Sequence, residues 1–166
     1  MFVYSIMSSQ VTTPFVTNAV ANTENDSIFI KPGARNIALL LLTVGGKGVG
    51  LTALSGIAYR VKKWFTTSSA IGTGTAITPA PKDPGAQVAK ATSAGSGAGT
   101  SLLTSGTGGP TFLGGCVSGG AGPGGWTAVN PDAAPVIEGS ANQSLDLFVS
   151  SGTVSMNYEA NLEIAE

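Results

Sequence analysis

The chain has 166 residues, a formal net charge of -1, one cysteine and no histidine. That length suits a single domain with its own core. One cysteine excludes an intrachain disulfide framework, and the missing histidine removes Ser-His-Asp and Cys-His nucleophile systems and His-based metal sites. Charged residues make up only 10%, well under the usual quarter, which points to a surface partly hidden in an assembly.

Residues 1–26 alternate short apolar pieces with Thr, Asn and Ser, and Pro14 interrupts them. Phe2 to Met7 has neither a basic n-region nor a cleavage-like end, so a signal peptide is not expected; Met7 is an alternative start. The segment reads as an extended N-terminal arm or a first edge strand, where proline is tolerated. A short strand follows at Ser27 to Ile30, then a turn at Lys31-Pro32-Gly33.

Ile37 to Val44 is the longest apolar run, eight residues against the roughly 18 that a membrane span needs. Asn36 to Val44 reads as a strand buried on both faces, with a helical turn as the alternative that periodicity alone leaves open. The loop Gly45 to Gly50 carries the glycines of a phosphate loop, but Lys47 is followed by Gly48 rather than Ser or Thr, so a plain turn is expected. Ile57 to Phe65 alternates through Ile57, Tyr59 and Val61, and its phase slips at Lys63-Trp64, which predicts a bulge or a strand end. Ala70 to Thr78 and, with a weaker pattern, Ala86 to Ala94 are further strand candidates.

Thirteen glycines fall within residues 93–125. Glycine loses the most entropy on ordering, so this region is expected to be mobile in an isolated monomer and held only where other backbones approach it. Cys116 lies inside it with no basic neighbour to stabilise a thiolate, so it is expected to be a small buried residue. Trp126 to Val129 and Pro135 to Glu138 lead toward the last two strands. Leu145, Leu147 and Val149 alternate, Ser150-Ser151-Gly152 provides turn residues, and Val154, Met156, Tyr158, Ala160, Leu162 and Ile164 then share one parity. This predicts a C-terminal hairpin. Glu159 and Glu163 share its polar face about 13 Å apart along the strand, beyond the 5–9.5 Å or so that separates glycosidase carboxylates.

Eight to ten short strands without an amphipathic helix define an all-β class: an antiparallel β-sandwich or jelly roll. The expected organisation is an arm over residues 1–26 and one domain over 27–166, with a Gly-rich loop region at 93–125. Charge is divided along the chain. All eight basic residues precede residue 91, and six acids with no base follow it. Such a division suits complementary contacts between neighbouring copies, or ordinary solvated strand faces of opposite sign. The chain is too weakly basic for nucleic acid to be the expected partner.

Pro135-Val136-Ile137-Glu138-Gly139, Ser144 to Val149 and Gly152 to Ser155 resemble the closing strands of jelly-roll proteins that tailed bacteriophages carry on capsids or fibre tips. Val11 to Val16 resembles the extensions with which capsid cement (decoration) proteins lace neighbouring subunits. The resemblance implies a homotrimer on the virion surface, assembled in the host cytoplasm, with the major capsid protein as partner. It implies no enzyme activity, no cofactor or metal, and no nucleic acid or membrane partner. The residues expected at the capsid or subunit interface are Val11, Phe15 and Val16 of the arm, with Arg60, Lys62, Glu159 and Glu163. The alternatives are a fibre-tip domain gripping a host surface glycan and a secreted bacterial β-sandwich binding module.

Overall fold

Alternating side chains divide each strand into a face that must be buried and a face that tolerates water, and two such sheets close on each other. The computed structural model describes residues 1–11, 15–17, 25–47, 56–65, 74–95, 107–118, 123–139, 143–151 and 156–166. Among them are β1 (Val3–Met7), β2 (Phe15–Val16), β3 (Asn25–Lys31), β4 (Ile37–Gly46), β5 (Gly56–Phe65), β6 (Thr75–Ile77) and β7 (Ala80–Pro81). They continue with β8 (Thr92–Gly95), β9 (Thr107–Ser118), β10 (Gly124–Thr127), β11 (Val136–Ile137), β12 (Gln143–Ser151) and β13 (Asn157–Ala165). The described residues hold no α-helix; 3-10 turns lie at Ser8–Gln10 and Pro131–Ala133, and Gly139 is also in 3-10 conformation.

The strands form two antiparallel sheets, a β-sandwich. The first runs β10-β4-β13-β1-β7, with β11 beside β4 and β2 beside β13; the second runs β6-β8-β3-β12-β5-β9. Four of the pairings are nested in sequence: β1 with β13, β3 with β12, β4 with β10, and β5 with β9. The outermost brings the chain ends together, and Phe2 and Glu166 exchange backbone hydrogen bonds of 3.0 Å in both directions.

The core lies between the sheets. Tyr4, Ile6, Leu39, Leu42, Val44, Tyr158, Leu162 and Ile164 of the first sheet meet Ile28, Ile30, Ile57, Val61, Leu145, Leu147 and Val149 of the second. Phe15 stands edge-on to Tyr158 with ring centroids 5.7 Å apart, a favoured aromatic geometry. Gly95 is required beside them, because a Cβ there would come within 2.5 Å of the Phe15 ring.

Several sequence expectations change. β12 and β13 are not a hairpin: β12 pairs with β3 and β5 in the second sheet, and β13 with β1 and β4 in the first. The chain crosses the sandwich between them, and Gly152 to Ser155 lie outside the described residues. Nor do the described parts of residues 1–26 form a free arm. Val3–Met7 is an interior strand, hydrogen-bonded on both sides by β13 and β7. Beyond it, the Ser8 hydroxyl accepts the Ala160 N–H at 2.9 Å and the Thr17 hydroxyl accepts the Met156 N–H at 2.8 Å.

β4 is not buried on both faces. Ile37, Leu39, Leu42 and Val44 are buried while Ala38, Leu40, Leu41 and Thr43 are half-buried. A register shift opposite Glu163/Ile164 makes Leu40 the extra residue, so the alternation changes phase there. The slip read at Lys63-Trp64 falls at the end of β5, which closes at Phe65, and the bulges near it have their extra residues in β9. β5 keeps unbroken register with β12 while β9 shifts against it at Val61/Lys62 and Lys62/Trp64. The glycine-rich region therefore contains a long strand, most of β8 and the start of β10, while residues 96–106 and 119–122, Leu102-Leu103 among them, lie outside the described residues.

Leu162→Ala removes a fully buried side chain facing the core and is expected to cost about 2–5 kcal/mol, read as a lower denaturant midpoint at unchanged slope. Asn161→Ala, on the opposite face, loses only its hydrogen bond from Ser5 and is expected to cost no more than about 1.5 kcal/mol. Deleting residues 1–7 removes an interior strand, so the truncated chain is expected to lose its cooperative unfolding transition.

Candidate functional site

The residues expected at an interface fall into three separate places. Val11 and Phe15 belong to the hydrophobic core, 7% and 3% exposed, and cannot reach an outside surface without unfolding that end of the sandwich. This corrects their assignment as shell contacts. Val16 is half-buried and pairs with Asn157. Arg60 and Lys62 lie on the outer face of the second sheet, Glu159 and Glu163 on the outer face of the first. The structure does not bring the four charged residues together.

On the first sheet, β13 sends Glu159, Asn161 and Glu163 outward because Tyr158, Ala160, Leu162 and Ile164 occupy the core side. Glu159 pairs with Lys47 at 2.5 Å and Glu163 with Lys82 at 2.6 Å. Asn161 accepts a hydrogen bond from the Ser5 hydroxyl at 2.8 Å. Two of the six C-terminal acids are thus paired with bases of the first half within one chain. Beside this row lies a shallow hollow of about 340 Å³, lined chiefly by Met7, Ser8, Ser9, Thr43, Lys47, Pro123, Glu159 and Asn161. Its hydroxyl, amide and charged groups suit a small polar ligand. Such hollows usually also hold an aromatic platform, and none lines this one.

The outer face of the second sheet is different. All of β12 is buried, its core-facing leucines and its outward positions alike. Asp146 stands at its centre with Lys62 directly across on β5 and Phe29 across on β3. Lys62 Nζ lies 4.7 Å from the centre of the Phe148 ring, and Trp64 stacks obliquely on the same ring at 6.3 Å. Neither oxygen of Asp146 has a hydrogen-bond partner among the described residues. Burial pushes its carboxyl well above the usual carboxylate range, the neighbouring Asp26 pushes it further, and Lys62 opposes both. Tyr158, whose hydroxyl lies against Ser27, is raised by burial beyond the ordinary phenol range. Sequence reading counted Asp146 only as one acid among six. Its place between Leu145 and Leu147 marked it as outward-facing, but nothing local signalled that the outward face would be buried.

Cys116 is exposed on β9 rather than buried. Its neighbour Gly115 makes room for an aromatic ring, since a Cβ there would sit 2.6 Å from the Tyr59 hydroxyl. Tyr59 therefore fills the space that a core-facing side chain of β9 would take.

No protein-family model matches the chain, and no curated protein matches it. Among solved structures, it is similar to the crystal structure of the infectious bursal disease virus VP2 subviral particle. The identity is 10% and the TM-score 0.32, over 98% of this chain and 32% of the other. The chain thus spans about a third of the length of that VP2 chain, and a likeness at this level carries no argument here.

Because burial holds the folded-state pKa of Asp146 above its unfolded value, the folded protein binds this proton more tightly than the unfolded chain does. Stability is expected to rise as pH falls from above the folded pKa toward the unfolded value near 3.8. Asp146→Asn is expected to melt at a higher temperature than the parent near neutral pH, with the gap narrowing on acidification. Lys62→Met is expected to destabilise the parent at neutral pH and to cost less in the Asn background, as a thermodynamic cycle of melting curves would show.

Proposed function

We propose that this chain is a viral structural protein of jelly-roll fold. In this reading it is a cement or decoration protein that binds the outer surface of a phage head where coat subunits meet. The observation that carries the reading is the nested order of strand pairs. β1 with β13, β3 with β12, β4 with β10 and β5 with β9 split into the sheets β1-β13-β4-β10 and β3-β12-β5-β9. That supports a jelly roll, an eight-stranded double-sheet roll common in viral capsid proteins. The step from fold to capsid is one of analogy. The sequence narrows it, because a chain with no histidine and 10% charged residues is better suited to contact than to catalysis.

The mechanism is mechanical. A protein bridging coat subunits removes apolar surface from water at about 25 cal/mol per Å² before the costs of association, and many copies bound together add avidity. With Val11 and Phe15 committed to the core, the contact surface is the outer faces and edges of the sheets rather than an N-terminal arm. The partner in this proposal is the major capsid protein, and the site of action is the virion surface.

The polar hollow beside Glu159 and Asn161 favours a second reading, a fibre-tip domain that holds a host surface glycan. The two readings separate on purified particles. The cement role is expected to give one fixed, high copy number per head, and heads stripped of the protein are expected to open at lower temperature and regain stability when it is added back. A few copies at the tail, with free protein blocking adsorption to the host, would support the glycan reading. Absence from purified virions would overturn both.

A further inference from the structure

A sandwich of open sheets has edges, and the edges differ sharply in exposure to pairing. The first sheet ends in β10, of four residues, and β7, of two residues including a proline; the second ends in β6, of three residues, and β9, of twelve. Natural proteins guard edges by shortness, proline, bulges, charge or cover. Three of these edges are guarded by shortness. The first half of β9 is guarded too, by Pro110 and two register shifts against β5. From Leu113 to Ser118 the register is regular, the sequence Leu-Gly-Gly-Cys-Val-Ser carries neither charge nor proline, and no described strand hydrogen-bonds its outer side. β10 lies near it without pairing.

We propose that Leu113–Ser118 is a docking edge at which a second copy of this chain adds antiparallel, β9 to β9, so that the second sheets of two copies become one continuous sheet. A strand edge meeting itself about a twofold axis is automatically complementary. The uncharged segment offers nothing to attract a charged partner and nothing to repel its own copy. The nearest cations, Arg60 and Lys62 on β5, would face their counterparts across three strand spacings, about 14 Å, beyond the 8 Å or so of physiological screening. For core faces to meet core faces, residues of like parity must pair. Cys116 of one copy then lies opposite Gly114 or Cys116 of the other, on the same outer face. Five residues a side cover about 17 Å of edge, less than a standard interface provides, so the pairing is weak alone and gains strength where copies are held close together. The inference rests on the fold and stands apart from the capsid role.

Cys116, the single cysteine, serves as reporter. The full chain at increasing concentration is treated with a short bismaleimide, and in parallel with a mild oxidant, then sized under denaturing conditions. The expected result is a covalent dimer whose yield rises with concentration, absent from Cys116→Ser. Gly114→Lys places the usual edge guard where a Cβ meets nothing closer than 3.4 Å. Because it stands directly opposite Arg60, it is expected to melt slightly below the parent yet to give several-fold less cross-linked dimer. Its added cation would if anything speed reaction of Cys116 with a monofunctional maleimide, so the loss would reflect lost pairing. Val88→Lys, at a residue 81% exposed between β7 and β8, on the side of the first sheet opposite β10, is expected to cross-link like the parent. The proposal is overturned if the parent stays monomeric although its thiol is reactive, if it forms dimers or trimers that do not cross-link through Cys116, or if folded Gly114→Lys cross-links as well as the parent. If that variant fails to fold, the concentration-dependent cross-linking of the parent decides alone.

Discussion

Burial of β12 on both faces is the constraint on which the second sheet depends. Its nine residues pair along their whole length with β5 and along most of it with β3, so that sheet is assembled around this one strand. Leu145, Leu147 and Val149 drive it by removing apolar surface from water on the core side. On the other side the same burial traps Asp146, for which the interior is a poor solvent. The molecule thus holds a group whose charged form opposes folding at the centre of its most buried strand, offset in part by Lys62, whose ammonium also sits over Phe148.

The faces of the strands were legible in the sequence; their partners were not. Alternation in Tyr158, Ala160, Leu162 and Ile164 identified which side of β13 is core, and the structure agrees residue by residue. The same alternation cannot say which sheet a strand joins, because it records the side that is dry and not the neighbour that is paired. Hence two successive alternating segments looked like a hairpin although they belong to opposite sheets. β9 was hidden for another reason: glycine has no side chain to show a period, and its core-side space is filled by Tyr59 from the neighbouring strand. Phe15 and Val11 were misplaced because a strand of two residues beside a proline gives no repeat to read, whereas their burial comes from distant residues such as Tyr158 and Gly95.

Charge shows a similar economy. The division between a basic first half and an acidic second half looked like a device for contacts between copies. Much of it is spent within the molecule instead, since Lys47 and Lys82 from early turns meet Glu159 and Glu163 on the last strand. Exposed pairs of this kind stabilise folds little. They do balance the two carboxylates that β13 sends to the outer face of the first sheet.

The ladder between β1 and β13 sets how the molecule bears tension. Phe2 and Glu166 are hydrogen-bonded neighbours, so both chain ends leave from the same end of one antiparallel pair. A pull applied between the termini would act across the strands and peel their hydrogen bonds apart one rung at a time, like the slider of a zip. A pull along the strands would strain many rungs at once. A protein wired this way resists stretching when gripped by its sheets and yields easily when tugged by its ends.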